Sequence, residues 1–478
     1  MKTINRKPLF LALAGISALG TVAVAGAAVA ASIPPVHTSQ TGLGQVLIYP
    51  YYTVNGTASS PYNTLISIVN TTNSAKAVKV RFHESKASAE VLDFHLFLSP
   101  YDVWVAELDP AAVSGGTVLV TPDNSCTIPT IPGTAGNRAV EFRNFAYVED
   151  NVGDDTLART REGYLTVIEM ATYTSDSKTG AAVKHNAAGL PNCAAFTDAL
   201  ALSEARAPSG GLSGTASLVQ PGKGLMAATD AVAVANFSSK KIYYTCTPEC
   251  GIEPNFTEGD NYYALTPATD KTNGHQGFVE TYWSYTEDAV SAALMKTSIM
   301  NEYVLDAATF SATNWVVTFP TKWYYTDNYD DSYLYNPFQN PVGATGSCDD
   351  IDLWIWNREE GGVTADFSPS PQKRLCWEAN VVTFNGNNIF GSPNTINVNT
   401  TGASGWGRID FNGPDAYMNP VEGYTLHGLP AIGFAVLTFP SSSSYAETFY
   451  HRYVQYPTGE STPTVPGTCD GFSPPCPQ

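Results

Sequence analysis

The side chains of this 478-residue chain that could do chemistry concentrate in two acidic loops and one dense run of aromatics. Asp327, Asn328, Asp330 and Asp331 crowd oxygen ligands into one short stretch, as calcium loops do. The stretch lacks the central glycine and closing glutamate of an EF-hand loop. It reads either as a solvated acidic loop or as a loop ordered by calcium, the one cofactor the sequence suggests. Cys348-Asp349-Asp350-Ile351-Asp352 is a second acidic cluster. Trp323, Tyr324, Tyr325, Tyr329, Tyr333, Tyr335 and Phe338 surround the first. Aromatic faces beside Asp and Asn suit stacking on glycans, but they equally suit a protein interface or the packing of a β-sandwich. Glycoside hydrolysis would need two carboxyls about 5–9.5 Å apart. Glu359 with Glu378, or Glu280 with Asp352, supplies them only if the fold brings them together.

Familiar catalytic signatures are missing. The chain has no H-E-x-x-H helix, no phosphate loop ending in Gly-Lys-Ser/Thr and no Gly-x-Ser-x-Gly elbow. His83 and His95 read as outward-facing residues on adjacent strands, and His427 and His451 are isolated. The eight cysteines are Cys126, Cys193, Cys246, Cys250, Cys348, Cys376, Cys469 and Cys476. An even number in an oxidising compartment reads as disulfides. We expect sequential pairing: 126–193, 246–250, 348–376 and 469–476. Cys246-Thr-Pro-Glu-Cys250 has a tolerable zinc spacing, but no second Cys or His pair follows at a finger-like distance.

The N-terminus supplies the oxidising context. Lys2, Arg6 and Lys7 precede an apolar and small-residue run from Leu9 to Val29, and Ala28-Val29-Ala30 offers a small-x-small cleavage site. Residues 1–31 therefore read as a signal peptide. An uncleaved anchor is the alternative, because the run is long enough to span a bilayer. No later segment is apolar enough, so no transmembrane anchor is expected after cleavage. The balance of 25 Lys plus Arg against 44 Asp plus Glu gives a net charge of −19. Losing the signal peptide leaves 22 against 44, so nucleic acid and anionic membranes are poor partners. Charged residues make up only 14% of the chain, which fits a β-protein with polar, uncharged outer faces.

The elements that would position these groups are mostly strands. Residues 32–44 read as a flexible mature N-terminus. Gln45–Val54 is a strand interrupted by Pro50, which places it at a sheet edge or a bulge. Asn63–Trp104 reads as an antiparallel meander with apolar residues at Ile66 and Ile68, at Val78, Val80 and Phe82, and at Leu92, Phe94, Leu96 and Leu98. If Glu84 faces Glu90, then Phe82 faces Leu92, Val80 faces Phe94, Val78 faces Leu96 and Lys79 faces His95. That register also sets Arg81 opposite Asp93 on the outer face, a pair of ~0.2–1 kcal/mol. Residues 45–246 form a first sandwich with an inserted excursion at 176–215, which carries a short helix near Phe196–Ala205. Residues 262–456 form a second β-rich domain. There Thr286 would cap a helix over 287–305, Trp315–Tyr325 is a Pro-broken strand, and Cys348–Cys376 clips a hairpin of the strands Leu353–Arg358 and Cys376–Phe384. Residues 457–478 are a Pro/Thr-rich tail. The fold class is thus mainly β: two immunoglobulin-like, antiparallel β-sandwich regions with a few short helices, supported by disulfides.

The segments YNTLISIVNTT, AKAVKVRFHES, VLDFHLFLSPYDVW, NEYVLDAATFSATNWVVTFPTK and LCWEANVVTF resemble a family of exported proteobacterial β-rich proteins labelled hypothetical or cell-surface protein. The resemblance implies a secreted or surface-exposed β-protein, and it carries no functional residue over. The expected function is that of a non-catalytic structural or interaction protein of the cell surface, extracellular space or periplasm. Its partners would be copies of itself, other surface proteins or glycans. The Gln45–Val54 strand either pairs within its own sandwich, the favoured reading, or adds to a neighbour's open sheet edge. The alternative is a secreted glycan-binding or glycoside-hydrolysing protein that uses residues 323–356.

Overall fold

Apolar and polar alternation builds Ala75–Glu84 and Glu90–Leu98 into a hairpin, and its register is the one the sequence predicts over most of its length. Phe82 pairs with Leu92, Val80 with Phe94, Val78 with Leu96, Arg81 with Asp93 and Lys79 with His95. The computed structural model describes residues 33–57, 59–147, 151–246, 250–270, 276–326, 336–338, 340–364, 367–368, 374–439, 443–452 and 454–456. The 1–31 segment, the 457–478 tail, the Cys469/Cys476 pair and Asp327, Asn328, Tyr329, Asp330, Asp331 and Tyr333 lie outside the described residues.

The chain is mainly β, arranged in several largely antiparallel sheets. The hairpin belongs to a seven-stranded sheet in which Glu162–Tyr173 lies between Val46–Thr53 and Ala75–Glu84. Asn63–Asn70 is not its third strand, as a meander would require. That strand crosses to a second seven-stranded sheet, between Val103–Pro110 and Leu212–Gln220. The two sheets close over one core, with Val78, Val80, Phe82 and Leu96 of the first meeting Ile66, Ile68 and Trp104 of the second.

Three further expectations change in this first region. A bulge between Phe82 and His83 sets His83, not Glu84, opposite Glu90. Glu84 instead accepts the amides of Lys86, Ala87 and Ala89 across the turn. The supposed outer face is itself buried, with His83 2% and His95 1% exposed. Buried charge demands close partners, and these run diagonally: Arg81 to Glu90, Lys79 to Asp93, and Arg159 to Glu84 at 2.9 Å. Val46–Thr53 is an interior strand, paired on both sides over Val46–Ile48 and buried throughout. Pro50 is accommodated where its register with Glu162–Tyr173 shifts, so the bulge is the reading that fits Pro50.

The second region carries a six-stranded sheet in which Ala312–Thr318 lies between Ala379–Phe384 and Ile432–Phe439, and a five-stranded sheet in which Ser404–Asp410 lies between Asp352–Asn357 and Ser298–Val304. The helix expected over 287–305 ends at Leu294, and Ser298–Val304 is a strand instead. Pairing with Ser404–Asp410 outweighs local helix propensity there. Thr286 does not cap that helix, because its hydroxyl donates to Phe256 O at 2.6 Å. The Trp315–Tyr325 strand stops at Thr318, and Trp323–Thr326 is a helical turn. Lys178–Val183 and Asp198–Glu204 are short helices, the latter capped by Thr197.

Disulfides join Cys126 to Cys193, Cys246 to Cys250 and Cys348 to Cys376. The last flanks the small ladder of Asp349–Asp350 with Arg374–Leu375. It does not clip a hairpin of its two neighbouring strands, which lie in different sheets. The described residues from Pro34 onward belong to one compact unit. A single core cluster runs from Val46, Ile48 and Ile168 to Trp283, Trp315 and Leu353. Polar bonds also cross the seam: Ser392 to Glu162 at 2.9 Å, Asn394 to Ser85 at 2.5 Å and Thr318 to Pro50 O at 2.6 Å.

Candidate recognition surface

A row of stacked indoles lies on the outer face of the five-stranded sheet. Period-2 alternation sends Leu353, Ile355 and Ile409 into the core and leaves Trp354, Trp356, Trp406 and Arg408 on the opposite face. Antiparallel register then sets Trp356 opposite Trp406, Trp354 opposite Arg408, and Asp352 opposite Asp410. Glycine permits this approach. A Cβ at Gly405 would stand 1.9 Å from Trp356 O, and one at Gly407 would stand 2.8 Å from both Ile355 and Trp315.

The rings form a stepped row. Trp356 and Trp406 stack at 4.1 Å with an interplanar angle of 11°, and Trp354 follows Trp356 at 6.2 Å and 18°. Arg408 lies 5.5 Å from the Trp356 ring centre and 5.8 Å from that of Trp354, a cation–π arrangement. Asp410 fixes its guanidinium at 2.8 and 3.0 Å. Trp406 ends the row and is 38% exposed. Among the described residues no other ring stacks on the face it turns away from Trp356. The next strand sets Glu302 opposite Trp406 and Met300 opposite Arg408, and exposed Tyr450 lies beside Met300. Asp352 accepts from Asn412 at 2.6 Å at the end of the strip. The surface thus offers an indole face, indole edges and hydrogen-bonding groups of both signs.

The aromatics singled out from sequence lie elsewhere. Tyr325 is buried and donates to Asp288 at 2.8 Å, with Ser291 at 2.9 Å. Half-buried Tyr324 stacks on Phe256 and accepts the Phe256 amide, and Trp323 packs on Tyr324 at 4.0 Å. All three pack against neighbouring side chains. Trp354 and Trp356 fall inside the 323–356 stretch, and their W-x-W spacing on a predicted strand was the signal that could have found them. Trp406 becomes their neighbour only through register.

Of the candidate carboxylates, Glu280 and Asp352 lie on different sheets. Exposed Glu359 pairs with Arg358 at 3.1 Å, whereas Glu378 is fully buried. Asp349 and Asp350 border a polar cleft of about 360 Å³ with Arg374 and Asp415. There Arg374 holds Asp350 at 2.6 Å and buried Lys322 holds Asp349 at 2.5 Å. His83 stacks on Tyr164 and bonds Thr166 at 3.0 Å, and burial lowers its pKa to about 3. It is a neutral packing residue. Comparison with protein-family models, curated proteins and solved structures finds no match. No helix among the described residues is long and apolar enough to cross a membrane.

Proposed function

We propose that this chain is an exported, non-catalytic interaction protein whose recognition surface is the strip of Trp354, Trp356, Trp406 and Arg408, and that its ligand is a saccharide. The observation carrying this reading is the row of three indoles on the solvent side of a sheet, ending in the half-open ring of Trp406. Solvent-side indoles give up the burial that usually rewards an aromatic residue, so a row of them favours a ligand. The flanking Arg408, Asp410, Asp352, Asn412 and Glu302 favour a ligand rich in hydroxyls over an apolar protein surface. Export is supported by the disulfides, which persist in oxidising compartments. Two β-sandwich regions, cemented by the polar and apolar seam, would serve as the rigid support.

Affinity electrophoresis through gels containing β-glucan, xylan, soluble chitin oligomers or peptidoglycan fragments tests the reading. We expect retardation by at least one of them. Trp406→Ala and Trp356→Ala should each weaken it about tenfold or more, ~1.4 kcal/mol. Phe145→Ala, an exposed aromatic on another part of the chain, should leave it unchanged. A wild-type protein retarded by none, or variants retarded equally, would sink the saccharide reading.

A further inference from the structure

The fold brings a third soft ligand to the Cys246/Cys250 pair that its local sequence does not contain. His95, on the strand Glu90–Leu98, offers a ring nitrogen that lies with both sulfurs in one cluster, all within 4.8 Å of one another. We propose that opening the Cys246–Cys250 disulfide creates a zinc-class metal site formed by Cys246, Cys250 and His95.

Three observations carry it. His95 Nδ1 is buried and has no hydrogen-bond partner, a costly state for a ring nitrogen that coordination through that nitrogen would relieve. Lys79 does not leave a bare positive charge at the site, because it pairs with Asp93 and donates to Gly251 O at 2.7 Å. The surroundings are also built. Asp198 accepts the Cys246 amide at 2.5 Å and the Tyr243 hydroxyl at 2.6 Å, and Tyr243 packs edge-on against His95 at 5.3 Å. These contacts hold one cysteine's backbone and the histidine ring independently of the disulfide. The Ile128 carbonyl lies 3.5 Å from each sulfur. Cys250 is half-buried, which gives a reductant access, whereas Cys246 is buried.

The chemistry balances with a dithiol as reductant. Two electrons from the dithiol break the S–S bond, the dithiol becomes a cyclic disulfide, and both cysteines become thiols. Divalent metal then displaces two protons to form two metal–thiolate bonds and one metal–imidazole bond. This is the three-ligand pattern of a zinc site with one position open.

Co2+ added to the mature chain after mild dithiol treatment is the test. The dithiol concentration is set so that alkylation and mass spectrometry find only the Cys246–Cys250 pair open, and circular dichroism follows the fold. The expected result is one equivalent of Co2+ with a thiolate-to-cobalt charge-transfer band, displaced by Zn2+. The band should be absent from the oxidised protein and from Cys246→Ser/Cys250→Ser, and His95→Gln should weaken binding about tenfold or more. Folded, selectively reduced protein that gives no band overturns the proposal, and so does an undiminished affinity in His95→Gln. Unfolding of the wild type when this pair opens would overturn it equally, because the site needs the fold to supply His95.

Discussion

Glu378→Gln raises the unfolding free energy at pH 8, by no more than ~1.4 kcal/mol per pH unit above the unfolded pKa, and leaves it nearly unchanged at pH 4. Glu378 is fully buried, and neither carboxyl oxygen has a hydrogen-bond partner. Burial drives its pKa well above the usual carboxylate range, against the pull of Lys322, while nearby Glu84 and Asp349 push in the same direction as burial. The folded protein therefore keeps the proton at pH values where the unfolded chain has released it. Stability from this site is fully present below the unfolded pKa near 4.5 and is lost as pH rises toward the folded value. The glutamine has no proton to lose, so its advantage grows over that window. Buried Glu162 and Asp349 are also shifted upward by burial. Asp288, at about 6, and Glu287, at about 7, share that direction. Above the unfolded histidine pKa near 6.5, where buried His83, His95 and His451 no longer act in the opposite direction, these carboxylates should cost the wild type stability as pH rises to 8. Urea unfolding across this range checks both statements, and parallel curves for wild type and Glu378→Gln would refute the first.

Lys76→Met costs about 3–5 kcal/mol at pH 7, and adding Glu169→Gln restores more than half of the loss. Lys76 and Glu169 are both fully buried, and Lys76 Nζ donates to Glu169 at 2.6 Å and to Ser209 Oγ at 2.8 Å. The carboxylate also accepts the Ser209 and Gly210 amides at 2.9 and 2.8 Å. Removing the lysine strands a carboxylate whose pKa burial already raises. A glutamine removes the charge and keeps one acceptor oxygen, so one of the two amides, which bind different carboxylate oxygens, retains its partner. Unfolding free energies of the two single variants and the double variant measure the coupling. A Lys76→Met cost below about 1 kcal/mol, typical of an exposed pair, would contradict the placement of this ion pair in the interior.

Local pattern made some of this legible. Register in the 75–98 hairpin followed from Val78, Val80, Phe82, Phe94 and Leu96, because a one-residue slip would turn all of them out of the core. Three of the four expected disulfides have their pairing in the structure. The other face of that hairpin was not legible. Lys79, Arg81, His83 and His95 are polar, and period-2 alternation records polarity but not what covers it. Their cover comes from distant segments, such as Gly251 over Lys79 and Pro320 against Tyr164. The Asn63–Asn70 strand misled for a similar reason, since sequence adjacency to the hairpin does not fix which sheet a strand joins. Trp354 and Trp356 alternate visibly along one strand, yet their stack with Trp406, fifty residues away, depends on a ladder that no local spacing announces.

The most direct test of the saccharide-binding surface is oxidative footprinting of the tryptophans, with and without the polysaccharide that retards the protein. Trp406 and Trp356 should be protected in the bound state, with exposed Tyr101 and Phe145 oxidised as before. Bound polysaccharide that leaves Trp406 and Trp356 unprotected, or that protects only residues elsewhere, would contradict it.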